Sequence, residues 1–235
     1  VLSRREDRHR PLRHQQDPDA GWGEGHLHPH HLQGFRLKAV LAIWVDIDPA
    51  DDEAFNHWHS REHVQERVGL PGWLRGSRFK GIERPQRYLL FYDAETVAAF
   101  DSAAYYARLE APTPLSRAIF PKFKNPWRTI CSVERRVGDG IAAAVLMVRG
   151  DVGSFEALAA CKPARIDLLR GEPEVGQAQT TEKDLRHGAD RQIEWAIVAF
   201  FWSAADAKTA RDRHAPSGEI FALQHTVSKG DLVSS

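Results

Sequence analysis

The chain has 235 residues, 42% apolar and 27% charged, and its 32 basic and 32 acidic side chains cancel. That is a globular balance, and without a basic surplus or stripe a nucleic-acid partner is not expected. No apolar run approaches the ~20 residues of a membrane helix, and the N-terminal stretch lacks the apolar core of a secretory leader. A cytoplasmic, non-membrane protein is the expectation. Cys131 and Cys161 are too few for a disulfide framework and too isolated for a zinc site, so they read as buried thiols in a reducing compartment.

Residues 1–36 are crowded with Arg, His, Gln, Asp and Gly and show no amphipathic period. Such a segment cannot bury enough apolar surface to offset its ordering entropy. It reads as a disordered extension, of the kind an upstream start-site assignment would add. Its His26, His28, His30 and His31 would scavenge metal only weakly.

From Lys38 the pattern sharpens. Residues 38–47 (KAVLAIWVDI) predict a strand that Asp48-Pro49 breaks, and Asp51 or Asp52 can cap the helix expected over Ala54–Val68. Gly69-Leu70-Pro71-Gly72 ends that helix. Strands are expected over residues 73–80 and 87–93, then short helices over 95–100 and 103–109, a helical turn from Thr113-Pro114, and a closing strand over 127–135. The order βαββαβ is the split βαβ arrangement of a ferredoxin-like module. A weaker copy follows: strand 141–148, helix 154–161, strand 165–169, strand 192–202, helix 204–214 and strand 219–227. The stretch 172–190 is polar and is not placed.

The fold class expected is therefore α+β. A site-bearing module at 37–137 and a degenerate one at 138–235 would pack sheet to sheet as an intrachain barrel around a cavity.

Chemistry concentrates in Phe55-Asn56-His57-Trp58-His59-Ser60-Arg61-Glu62-His63. At 3.6 residues per turn His59, Glu62 and His63 share a face beside Trp58. Such a face is either solvated or able to position and deprotonate a small acidic molecule, because an imidazole titrates near ~6.5 and a carboxylate tunes it. The same letters fit the H-x-x-E-H zinc-peptidase pattern, without a third ligand. No P-loop, dinucleotide fingerprint or serine-hydrolase elbow is present.

Trp58-His59-x-x-Glu62-His63, then Glu66-Arg67 and Leu70-Pro71-Gly72-Trp73, resembles the first helix and second strand of dimeric α+β-barrel proteins, with EthD-type and related uncharacterised branches nearest. Residues 87–92, Ser102-x-x-Tyr105-x-x-Arg108-Leu109, Pro112-Thr113-Pro114 and Arg128-Thr129 continue the likeness, which covers about residues 38–134 well and the remainder in outline.

The resemblance implies a ligand cavity between sheet and helices. His63 and, less strongly, His59 would handle a proton, with Glu62 as their partner and Tyr105 as a hydroxyl donor. Trp58, Trp44 and Phe91 would wall the site, and Tyr92 would contact substrate. It implies a small-molecule enzyme working without a cofactor as a lyase, isomerase, cyclase or oxygenase on an enolisable or aromatic metabolite. The alternatives are a haem- or divalent-metal-dependent oxidoreductase using the same histidines, and a non-catalytic metabolite-binding module. A homodimer is left open. Glu182, Lys183 and Arg186 read either as cavity-rim charges or as a solvated turn, and His214 and His225 as surface or capping residues.

Overall fold

A computed structural model of the chain describes residues 38–186 and 190–232; the His-rich segment lies outside them. Eight strands are present: β1 (Ala39–Asp46), β2 (Trp73–Gly81), β3 (Arg87–Ala94), β4 (Lys124–Gly138), β5 (Ala144–Arg149), β6 (Arg165–Gly171), β7 (Trp195–Phe201) and β8 (Glu219–Ser228). They close into one antiparallel barrel in the order β1-β3-β2-β8-β5-β7-β6-β4. The first four strands run β4-β1-β3-β2 and the last four β8-β5-β7-β6, the same relative order twice.

The expected intrachain barrel is present, and it is closed by the way the edges of the two halves meet. β2 pairs with β8 from Arg75↔Ser228 to Gly81↔Phe221, and β4 pairs with β6 from Cys131↔Gly171 to Gly138↔Arg165. An open sheet edge leaves a row of unpaired N–H and C=O groups, and closure removes it. The 15-residue β4 makes this possible: its first part lies along β1 and its last part along β6.

Both faces of β1, β3, β5 and β7 are buried, which explains their nearly continuous apolar runs. Val40, Ala42 and Trp44 of β1 point inward with Phe79, Leu89, Phe91, Met147, Val198 and Phe200. Ala39, Leu41 and Val45 point outward beneath the helices of the first half. Ala144, Leu146, Ile197 and Phe201 do the same beneath those of the second. Cys131 is buried in the interior, and burial pushes its thiol up to about 12. Cys161, expected to be buried too, is only partly covered at the end of a helix.

The first-half cover is a continuous helix of three parts: α1 (Asp52–Trp58), a π-helical turn (His59–His63) and α2 (Val64–Val68). After β3 come a 3-10 turn (Val97–Asp101), α3 (Ala103–Glu110) and α4 (Pro114–Ile119). Ser102 caps α3 through Tyr105 N–H, and Thr113 caps α4 through Ser116 N–H. The second half carries α5 (Phe155–Ala160), α6 (Thr181–Leu185) and α7 (Ala204–His214). α6 falls in the stretch that sequence patterning left unplaced. Among the described residues no helix is long and apolar enough to cross a membrane.

One glycine sets how close the site-bearing helix lies to the sheet. A Cβ on Gly76 of β2 would sit 2.5 Å from Val64 Cγ2 and 2.8 Å from the Tyr92 ring. Gly76→Ala is expected to push α2 off the sheet and cost about 1–3 kcal/mol through overpacking. Urea denaturation tests this, and an unchanged midpoint would show that the contact yields without cost.

Candidate functional site

The site grows from the helix that covers β2 and β3. In an ideal α-helix residues four apart drift by about 40° around the axis. The wider π turn between His59 and His63 offsets the drift that α2 adds between His63 and Arg67. All three side chains are buried. Arg78 of β2 supports the turn, donating from Nη1 to the Asn56 carbonyl at 3.1 Å and to Ser60 Oγ at 2.9 Å.

His63 is 5% exposed, and its ring lies 4.2 Å from that of Trp58. It lines a cavity between the outer face of the sheet and the helices, together with Arg67, Trp73, Tyr92, Tyr105, Phe120 and Arg128. Glu182, Arg186 and Asp190, on and just after α6, complete the wall. The space left for centres of water-sized molecules is about 20 Å³, room for a water or two. A larger guest needs part of that wall, such as α6, to move. That helix has five residues, too few to be stable without tertiary support, and it is held by the buried Arg67–Glu182 ion pair and by Thr181 Oγ1 donating to Glu110 at 2.9 Å.

Burial is the main force on both imidazoles. It holds His63 well below the usual histidine range, aided by the charges of Arg67, of His59 and of Arg186. It does the same to His59, aided by Arg78 and His225. His59 is fully enclosed, and its Nε2 meets the Tyr92 hydroxyl at 3.1 Å. Burial also raises the Tyr92 phenol, so the phenol keeps its proton and has the imidazole as a neutral partner. Nδ1 of His59 and of His63 have no partner among the described residues.

Two arginines hold the remaining polar groups. Arg128 Nη2 donates to Tyr105 Oη at 2.9 Å. Burial opposes the Arg128 charge, but Tyr105 and Asp190 outweigh it and raise its pKa. Burial likewise opposes the Arg67 charge, and Glu182 outweighs it. In return Glu182 is lifted above its ordinary range by burial, with Arg67 pulling the other way.

The candidates from sequence divide accordingly. His63, Tyr92 and Tyr105 line the cavity, and His59 stands behind Tyr92. Trp58 backs His63 and donates from Nε1 to Ser116 Oγ at 3.0 Å. Trp44 and Phe91 do not wall the cavity: they point into the closed barrel, on the opposite face of the sheet, because strand side chains alternate. Glu62 is not the partner of either histidine. The π turn directs it to the helix flank, where its carboxylate accepts from Thr113 Oγ1.

Glu182 and Arg186 prove to be buried cavity groups rather than a solvated turn. Arg67 and Arg128 entered the sequence reading only within motifs of the resemblance, with no site role assigned. Arg67 was within reach of one, since 59, 63 and 67 repeat every four residues. Asp190 carries no local signal.

A resident metal cation fits this lining poorly. Among the described residues no three His, Cys, Asp or Glu side chains form a metal-binding group. The charged neighbours that act on His63 are the guanidinium groups of Arg67 and Arg186, which repel a cation.

No family model matches the chain, and no curated protein matches it. Among solved structures, an anthrone oxidase-like protein superposes with a TM-score of 0.57 at 11% identity, covering 85% of this chain and 97% of that one. A protein from Fusobacterium nucleatum subsp. nucleatum described as a monooxygenase gives 0.49 at 8% identity over 85% and 98% of the two chains. One from Lactobacillus acidophilus with the same description gives 0.47 at 6% over 85% and 100%. The first of these places the chain in the α+β-barrel fold class, and at that identity it shows fold alone.

The buried histidines make stability depend on pH. In the unfolded chain each titrates near ~6.5, whereas the folded state resists protonation. Their contribution is therefore complete above about pH 6.5 and is lost on acidification, because the unfolded state then binds more protons. Each adds a slope of up to about 1.4 kcal/mol per pH unit. His63→Gln should flatten urea-derived stability between about pH 6.5 and about pH 5 by one such slope. An unchanged slope would mean that His63 titrates as it does in water.

Proposed function

We propose that the chain is a small-molecule enzyme of the α+β-barrel kind, performing cofactor-independent proton transfer on an enolisable or aromatic metabolite. One observation carries this reading: an uncharged imidazole, His63, lines a polar cavity with its Nδ1 unpartnered. A base must be unprotonated to act and must lie within hydrogen-bond reach of the proton it takes.

His63 accepts the proton from carbon or oxygen of the substrate. Tyr105 has its hydroxyl oxygen occupied by Arg128, which leaves its own proton for a developing oxyanion. Arg67 supplies positive charge beside the base. Tyr92, backed by His59, supplies a second hydroxyl to the lining. Trp73, Phe120 and Phe123 form the apolar wall. In this reading the repeated strand order reflects two tandem ferredoxin-like modules, of which only the first kept a polar helix. The likeness to an anthrone oxidase-like fold is compatible with an aromatic substrate.

The test is solvent exchange. The protein is incubated in D2O with a panel of 2-oxo acids, β-keto acids and phenolic ketones, and C–H to C–D exchange is followed by proton NMR. Exchange by the native chain should fall by at least about 100-fold in His63→Gln, the size of a general-base contribution, with the fold retained. A His63→Gln variant that exchanges at the native rate would remove His63 from the mechanism.

A further inference from the structure

The lining of the cavity carries more positive than negative charge. Three guanidinium groups, Arg67, Arg128 and Arg186, face two carboxylates, Glu182 and Asp190, a difference of three minus two, or one positive charge. Burial keeps His63 from adding to either side.

The donors are also incompletely used. Arg67 reaches Glu182 through Nη2, and Arg186 reaches Asp190 Oδ2 through Nη2 at 3.0 Å. Arg67 Nη1 and Arg186 Nε are buried and have no acceptor among the described residues. A buried donor left without a partner is destabilising, and more so when it is charged. Arg67 and Arg186 line the same cavity as His63, so the two unused donors belong to one neighbourhood. Asp190 Oδ1, an acceptor, is unpartnered as well.

We propose that this cavity is a carboxylate site, in which a small organic monoanion accepts hydrogen bonds from Arg67 Nη1 and Arg186 Nε and sets its apolar part against Trp73, Phe120 and Phe123. The inference rests on the proton-transfer reading and adds to it the substrate class, an organic acid whose acidic C–H or O–H lies close to its carboxylate. A planar carboxylate matches the fork of a guanidinium, and one negative charge cancels the surplus. A phosphate dianion would overshoot it. The unused Asp190 Oδ1 suits an acid that also carries an O–H. The bound anion would oppose the depression of His63 by its arginine neighbours and so strengthen it as a base. Entry requires the cavity to widen, because as it stands it holds only water-sized guests.

The experiment is calorimetric titration of the full chain at constant ionic strength with benzoate, with its neutral isostere benzamide, and with inorganic phosphate. Benzoate should bind at least about tenfold more tightly than benzamide, a difference of about 1.4 kcal/mol. Arg186→Gln should shrink the preference to less than about threefold, with Arg186→Lys between the two. Equal affinity for benzoate and benzamide, failure of benzoate to bind, or displacement of benzoate by equimolar phosphate each overturns the proposal. If Arg186→Gln does not fold, the native benzoate-to-benzamide ratio decides alone.

Benzoate has no acidic C–H, so its binding does not depend on the role of His63. A carboxylate preference combined with full exchange activity in His63→Gln retires the base and keeps the anion site. Loss of exchange in His63→Gln without a carboxylate preference does the reverse.

Discussion

Closure of the barrel is the constraint on which the rest depends. Joining β2 to β8 and β4 to β6 brings residues from both halves into one interior. That interior is filled by Trp44, Phe79, Phe91 and Phe200 and, towards one end, by an ion network. Arg165 of β6, with no exposure, donates to Asp93 of β3 at 2.7 Å and to Asp167, while Arg136 of β4 donates from Nε to Asp167 at 2.6 Å. The Arg165 guanidinium also lies over the Phe200 ring, 4.7 Å from its centre. Buried charges of this kind are tolerated only when each is paired, and the pairing spans the two halves. Arg165 holds the Asp93 carboxyl far below its ordinary range against the opposing effect of burial.

A filled interior displaces the candidate site to the outer face of the sheet. There the two halves differ. The helix over β2 and β3 presents His59, His63 and Arg67 inward, whereas α5 presents Phe155 and Leu158. The second half nevertheless contributes to the site through α6, whose Glu182 meets Arg67 from 115 positions further along the chain. The polar cavity is therefore a product of the whole barrel, although the proposed base, His63, comes from the first half.

Desolvation links the stability of this region to its proposed chemistry. The enclosure that keeps His63 and His59 uncharged also makes every nearby charge count for more than it would in water. The guanidiniums stay charged because Glu182, Asp190 and Tyr105 face them.

Local pattern decided much of the fold. Alternation and apolar runs marked the eight strands, Asp and Pro marked the helix start, and the cluster from Trp58 to His63 marked the helix that carries His63. These are signals between neighbours in the chain, and the forces behind them act over a few residues. Other features were decided only in three dimensions. Trp44 and Tyr92 look alike as apolar-run aromatics, yet strand pleating sends one into the barrel and the other to the cavity. Glu62 stands next to His63 in sequence, but the π turn takes it to Thr113. Arg128, Glu182, Arg186 and Asp190 meet His63 and Arg67 because barrel closure sets β4 and α6 against the first helix. Composition and spacing determine which side chains are available and which elements carry them; long-range pairing of strand edges determines which of them share one desolvated space, and there their charges and protons come to depend on one another.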